Sequence, residues 1–179
     1  MDETIFAEFL ENSAREAQEL AARSDVLGIF RLPVPGAGLF LARFALPYLV
    51  QLPDGAIGVS PGPLHVAIHF GPEYLQRVSP LEVVQVRELD LFHPNFLWPV
   101  LCVGAVRPGM SLTCLARHIF EILSYENYAT DDGLHPEACV RLREEPRLLE
   151  TLPRRPRLVR RRPDQIKGLE LIDGSPTSR

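Results

Sequence analysis

A single cysteine, Cys102, closes a short segment that begins with the tripeptide His93-Pro94-Asn95. A thiolate attacks activated acyl groups well, and the thioester that it forms keeps enough free energy to pass the acyl group to an amine. An asparagine amide can donate a hydrogen bond to the carbonyl oxygen on which negative charge develops during such an attack. These residue types in this order favour acyl transfer through a cysteine. The alternative for Cys102 is a small buried hydrophobe, which is the commoner role of a lone cysteine.

Three parts of the chain resemble ubiquitin-conjugating enzymes in their order and separation. Residues 68–74 and 79–83 are similar to the third strand of that family and to the loop that leads into the next strand. The His-Pro-Asn tripeptide precedes Cys102 by about the distance at which the family places its thioester-forming cysteine. The segment Asp131-Asp132-Gly133-Leu134 resembles the Asp-Asp-Pro-Leu segment that opens the helix after the catalytic loop. The resemblance covers roughly residues 7–144.

The resemblance implies a ubiquitin-like-protein conjugating enzyme in which Cys102 accepts the modifier from an activating enzyme and passes it to an amine of a protein substrate. Asn95 would contact the oxyanion or hold the active-site loop, and as a third possibility it is a turn residue that caps its own backbone. His93 and Pro94 would be structural residues of that loop. Asp132 matches a position beside the catalytic cysteine, where a carboxylate orients the amine or takes its proton. Asp132 could also cap the helix that follows.

Several features depart from the family pattern and bear on the partners. The loop Phe96-Leu97-Trp98-Pro99-Val100-Leu101 is apolar where the family has a polar, glycine-containing loop, so it either packs inward or contacts a partner. The tryptophan that follows the cysteine in the family is missing, and the residues that dock ligases have no clear match. A catalytically inactive adaptor of the same fold, binding a ubiquitin-like protein or an activating enzyme, is therefore the alternative function. A third hypothesis is an unrelated α+β protein whose basic tail binds nucleic acid.

The amino-acid composition limits these hypotheses about function. The chain has 179 residues, 46% of them hydrophobic, and a formal net charge of −4, which is typical of one globular domain and does not favour nucleic-acid binding. No apolar run reaches the ~18 residues that span a bilayer, and no secretory signal is evident, so we expect a cytoplasmic protein without a membrane partner. Three cysteines without a Cys-x-x-Cys pair indicate free thiols in a reducing compartment. Cys114 and Cys139 are expected to be core residues.

Neither a cofactor nor a metal ion is expected. A zinc site built from His118, His135 and Cys139 is conceivable, but their spacing fits no usual ligand pattern. Positive charge comes almost entirely from arginine, with Lys167 the only lysine. This usage suggests a GC-rich, bacterial genome, and a bacterial origin would invite a role in antiviral defence, although no residue indicates one.

Hydrophobic periodicity predicts the elements that must position these residues. Spacing of three to four residues predicts helices, and alternation predicts half-buried strands. The predicted helices are 2–23, 111–126 and 136–145; the predicted strands are 39–51, 56–60, 64–70 and 81–91. The order is an α+β layout: an N-terminal helix, a four-stranded antiparallel meander, the active-site loop and C-terminal helices. This is the layout of the conjugating-enzyme fold.

The domain is expected to occupy residues 1–150. Residues 151–179 are expected to form a basic, proline-rich tail, since prolines repeatedly interrupt the arginine run at 154–162. No aromatic residues are interleaved with these arginines, which disfavours binding to single-stranded nucleic acid.

Overall fold

The computed structural model describes residues 3–34, 38–153 and 156–159, apart from the side chains of residues 81 and 82. It opens with helix α1, Glu3–Ala22, as the 3.6-residue spacing of its apolar side chains predicts. The buried face of α1 carries Phe6, Leu10, Ala14, Ala17 and Leu20. This face packs on the inner side of the sheet and on a later helix, and it forms one wall of the main core.

In the described part of the chain, eight strands follow α1. They are β1 Leu27–Leu32, β2 Gly38–Phe44, β3 Tyr48–Gln51, β4 Ile57–Ser60, β5 Leu64–Phe70, β6 Val84–Val86, β7 Phe96–Leu97 and β8 Val100–Leu101. Six of them form one antiparallel sheet in the order β1-β2-β5-β6-β8-β7, and β3 pairs with β4 as a separate hairpin. The predicted α+β class with an N-terminal helix and an antiparallel sheet is confirmed.

The predicted four-stranded meander is wrong in two respects. The strand expected at 39–51 is divided near Pro47, because a proline cannot donate to a ladder, and its second half leaves the sheet as β3. The strand expected at 81–91 shrinks to β6, because a short helix, α2 (Pro80–Val83), occupies its beginning. Strand β2 consequently pairs directly with β5. The sheet gains three strands that the periodicity does not predict, namely β1 at one edge and β7 and β8 at the other.

The remaining helices lie after the sheet, as predicted. They are α3 Leu112–Leu123, α4 Pro136–Glu144 and a final 3-10 helix, Pro146–Thr151. Ser111 caps α3 by accepting a hydrogen bond from the backbone amide of Cys114 at 3.3 Å. Helix α3 also packs against α1, which completes the main core. A second, smaller cluster joins Leu49, Phe92, Tyr125, Ala138 and Leu142, and this cluster supports the segment that carries His93.

The end of the described chain returns to the core. Leu158 is buried at 8% exposure among the residues of the main cluster, so the packed part of the protein includes residues beyond 150. The domain boundary expected at residue 150 stays a prediction. Most of the expected basic run, residues 154–155 and 160–162, lies outside the described residues. Within the described ranges, no helix has both the length and the apolar character that crossing a membrane requires.

Candidate active site

Cys102 lies where the β7–β8 hairpin ends. Its backbone amide donates to the carbonyl oxygen of Asn95 at 2.7 Å, which extends the hairpin pairing by one step beyond Phe96 and Leu101. Leu101 is fully buried and Val100 is half-buried, so alternation along the strand directs Cys102 outward with Val100. Cys102 is accordingly half-buried, and the side chain of Trp98 at the tip of the hairpin is 56% exposed.

The other two cysteines differ from Cys102 in exposure. Cys139 is buried, as expected for a core residue. Cys114 is exposed, so its assignment to the core is wrong. It lies in the first turn of α3, where the capping bond from Ser111 holds its amide and leaves the side chain on the outer surface.

The side chain of Asn95 joins three segments of backbone. Its Nδ2 donates to the carbonyl oxygen of Cys102 at 3.1 Å, and its Oδ1 accepts from the backbone amide of Ala129 at 2.9 Å. Asn95 is only 9% exposed, so both bonds are made away from bulk water, where an unpaired amide is costly. Of the roles considered for Asn95, these contacts match the one that holds the loop. They are not the local contacts of a turn residue that caps its own backbone.

The ring of His93 is hydrogen-bonded to the backbone of Asn95. The ring is fully buried; its Nε2 lies 2.9 Å from the carbonyl oxygen of Ile122, and its Nδ1 accepts from the amide of Asn95 at 3.0 Å. A carbonyl needs a donor and an amide needs an acceptor, so the ring is the neutral tautomer with hydrogen on Nε2. Burial lowers the pKa of His93 to about 4, and the Ile122 carbonyl opposes that shift in part. His93 is therefore uncharged near neutral pH, and its ring joins the backbone of Asn95 to that of Ile122 in α3.

Pro94 contributes its carbonyl oxygen, which accepts from the amide of His135 at 3.0 Å. This bond ties the His-Pro-Asn turn to the start of α4. Pro94 is buried, so it also fixes the turn by packing.

The loop that carries Asp132 runs along the same turn. Ala129 is bonded to Asn95, and a Cβ added to Gly133 would lie 2.6 Å from the Pro94 carbonyl oxygen. Asp132 lies between these two anchored points and is exposed. Since three residues span at most about 10–11 Å, its backbone stays near the Asn95 amide. Asn95 and Asp132 thus lie on the same side of the molecule.

Helix capping is excluded as the role of Asp132. The residue that caps α4 is His135, whose Nδ1 accepts from the amide of Ala138 at 3.2 Å. Asp131 makes an exposed ion pair with Arg143 at 3.3 Å. The carboxylate of Asp132 is left facing solvent at the edge of the loop, where an incoming amine could meet it.

Sequence reasoning missed the two residues that seat this loop, Gly133 and Ala129. Ala129 acts through its backbone amide, which no side-chain pattern reveals. Gly133 did carry a signal, since an Asp-Gly pair marks a turn and glycine allows close approach of the backbone. The Sγ of Cys139 would lie 2.6 Å from the added Cβ, which shows how tightly the loop is packed.

The histidines proposed as zinc ligands are engaged elsewhere. The Nε2 of His118 lies 2.7 Å from the carbonyl oxygen of Val103, and His135 forms the cap of α4. In the part of the chain that the structure describes, His, Cys, Asp and Glu side chains form no group of three or more that could hold a metal ion.

The apolar loop between Asn95 and Cys102 has some side chains in the core and others in solvent. Phe96 and Leu101 are buried in the core, whereas Leu97 and Trp98 are 57% and 56% exposed. A cavity of about 270 Å³ lies beside them, lined also by Asp90 and His135. The loop therefore packs inward at its ends and presents an apolar surface at its tip.

Comparisons of this chain with models of protein families, with curated proteins and with solved structures found no match.

Proposed function

We propose that this chain is a ubiquitin-like-protein conjugating enzyme of the conjugating-enzyme fold that carries its modifier as a thioester on Cys102. The Cys102 thiolate attacks the activated carbonyl carbon at the modifier's C-terminus. The new carbon–sulfur bond replaces the bond to a thiol of the activating enzyme, which leaves with its electron pair. An amine of a protein substrate then attacks the thioester carbonyl, the carbon–nitrogen bond forms, and the Cys102 thiolate leaves. The amine proton passes to Asp132 or to water.

The observation that carries this proposal is the contact of Asn95 with both Cys102 and Ala129. One amide fixes the strand end that presents the sulfur and also the loop that presents a carboxylate. Catalysis gains most when the reacting groups are held in place before reaction, since little reorganisation is then needed. A half-buried thiol supported in this way suits a nucleophile better than a packing residue.

Asn95 acts here as a positioning residue, because its amide is already bonded to backbone groups. The second N–H of Nδ2 would be the one to face a developing oxyanion. His93 accepts from the backbone amide of Asn95, which holds the residue in place, and it contributes no charge of its own near neutral pH. This chemistry requires a reduced thiol, which a cytoplasmic location provides.

The test is to incubate the protein with ATP, a cognate activating enzyme and a cognate ubiquitin-like modifier. We expect an adduct on the wild-type chain that disappears on treatment with a thiol. Cys102→Ala should abolish the adduct, and Cys114→Ala, which removes an exposed thiol of another surface, should not. An adduct that survives Cys102→Ala would defeat the proposal.

The exposed side chains of Leu97 and Trp98 favour a second candidate, a catalytically inactive adaptor that binds a ubiquitin-like protein or an activating enzyme. The two functions differ in the reactivity of Cys102. If Cys102 in the native protein does not react with a small alkylating agent while a ubiquitin-like partner still binds, the adaptor is the better assignment.

A further inference from the structure

The cavity beside the active-site loop combines apolar residues with one acidic residue. Leu97, Trp98 and Leu89 are its exposed apolar residues, and among the described residues that line it Asp90 is the only acidic one. Of the described residues, no arginine or lysine lines this cavity. An indole face and alkyl groups beside a carboxylate suit a long cationic side chain, whose stem packs on the apolar walls while its charge meets the acid and the ring.

The polar groups around the cavity are held in place without neutralising Asp90. Gln51 donates from its backbone amide to the carbonyl oxygen of Asp90 at 3.3 Å and from Nε2 to the carboxylate of Glu137 at 3.0 Å. Glu88 is bonded to His65, through Nδ1 at 2.9 Å and through the backbone amide. The negative charge of Glu137 close to Gln51 adds to that of Asp90, so the field at this opening favours a cation.

The cavity lies near the proposed active site, on the side of the loop that carries Asp132. His135 lines the cavity and is the third residue after Asp132, a separation of at most about 10–11 Å. Leu97, on another wall, pairs with Val100 on the strand that ends at Cys102. A polypeptide whose lysine approaches Cys102 past Asp132 would therefore run beside this cavity.

We propose that the cavity binds a second basic side chain of the acceptor polypeptide, so that the enzyme prefers target lysines with an arginine or lysine about three residues away. This proposal rests on the proposed function and adds a substrate class to it. Asp90 and Trp98 are the residues that would set the preference, and neither takes part in the attack on the thioester.

Binding can be measured without any modifier, because Trp98 is the only tryptophan of the chain. The probes are acetyl-Gly-Arg-Gly-amide and the same peptide with uncharged citrulline in place of arginine, titrated against Trp98 fluorescence. We expect the arginine peptide to bind more tightly and Asp90→Asn to weaken its binding about two- to five-fold, the range of a solvent-exposed charge pair. Added salt should weaken it further. Equal binding of the two peptides would overturn the proposal.

The matched control is Asp54→Asn. Asp54 is an exposed aspartate in the β3–β4 turn, and its Oδ1 accepts from the amide of Ala56 at 3.0 Å, a bond that asparagine can keep. Asp54→Asn should leave the titration unchanged. An equal loss in both variants would indicate a general effect of net charge and would also overturn the proposal.

A second experiment identifies the polypeptide that fills the cavity. Charged enzyme is discharged to N-acetylated peptides that have one lysine and, three residues away, either arginine or citrulline. We expect faster discharge to the arginine peptide and loss of that preference in Asp90→Asn. If Asp90→Asn instead slows charging and keeps the preference, the cavity binds the modifier's tail and the assignment to the acceptor is wrong. A complete absence of charging would count against the proposed function. The fluorescence titration would still test whether the cavity binds a basic side chain.

Discussion

Asn95 and Cys102 hold each other by two hydrogen bonds. The amide of Cys102 donates to the carbonyl oxygen of Asn95 at 2.7 Å, and the Nδ2 of Asn95 donates to the carbonyl oxygen of Cys102 at 3.1 Å. The second bond comes from a side chain whose oxygen also accepts from Ala129. The position of the candidate nucleophile is thereby coupled to the loop that carries Asp132.

Replacing Asn95 by alanine should loosen both the strand end and the loop. The change removes two hydrogen bonds and leaves the Cys102 carbonyl and the Ala129 amide without their partners, which costs about 1–3 kcal/mol for each group that stays buried. We expect a lower free energy of unfolding in urea, together with slower discharge of the thioester. Asn127→Ala, in an exposed asparagine nearby, is the control and should be nearly neutral. Unchanged stability in Asn95→Ala would contradict this role.

His93 should make stability depend on pH between about 4 and 6.5. Its pKa is lowered to about 4 in the folded protein from the ordinary value of 6.5, so in this range the unfolded chain binds more protons than the folded one. Stability therefore rises with pH through this window, is complete above about 6.5, and is reduced by up to about 3 kcal/mol at the lower end. Urea unfolding from pH 4 to 7 measures the effect.

His93→Gln should flatten that profile, because the glutamine amide can donate to the Ile122 carbonyl but does not titrate in this range. The control is His69→Gln, a change in an exposed histidine at the end of β5. It should keep the wild-type slope. A wild-type slope in His93→Gln would show that another group titrates.

Gly133→Ala should displace the loop that carries Asp132. The new methyl group would lie 2.6 Å from both the Pro94 carbonyl oxygen and the Cys139 sulfur, and one of these is backbone that cannot turn aside. We expect a loss of about 1–3 kcal/mol in stability, as for other overpacked sites, and slower transfer to amines. Gly71→Ala is the matched control, since the nearest atom to its added Cβ lies 4.0 Å away. Equal stability of the two variants would contradict the close packing at Gly133.

The three thiols should react in two classes. Cys102 is half-buried and Cys114 is exposed, so both should react with a chromogenic disulfide reagent in the native protein. Cys139 is buried and should react only after unfolding. Mass mapping of the labelled cysteines checks the assignment, and protection of Cys102 in the folded state would support the inactive adaptor.

Helices α1, α3 and α4 could be predicted from the sequence because their apolar residues recur at the helical period over nine or more positions. Strand β1 was not predicted, because apolar residues lie on both of its faces and the sequence does not alternate. Leu27 and Ile29 are buried, whereas Phe30 and Leu32 are exposed. Pro47 indicates that the strand predicted at 39–51 is interrupted at that point. The departure of β3 from the sheet, however, depends on tertiary packing.

The candidate site was predictable only in part. The tripeptide and Cys102 can be read directly, and the resemblance adds Asp132. The bond from Asn95 to the Ala129 amide joins residues that are 34 positions apart, and a single sequence holds no sign of such a pairing. The capping role of His135 was also missed, because histidine is not among the residues that commonly cap helices.

The central claim is that Cys102 forms a thioester, and replacing its sulfur by oxygen tests this most directly. In a charging reaction with activating enzyme, ATP and modifier, wild-type protein and Cys102→Ser should gain the same modifier mass by intact mass spectrometry. The wild-type adduct should be released by dithiothreitol, whereas the serine adduct, an ordinary ester, should resist dithiothreitol and be released by alkali. A wild-type adduct that resists dithiothreitol, or a Cys102→Ser adduct that remains sensitive to it, would contradict the claim.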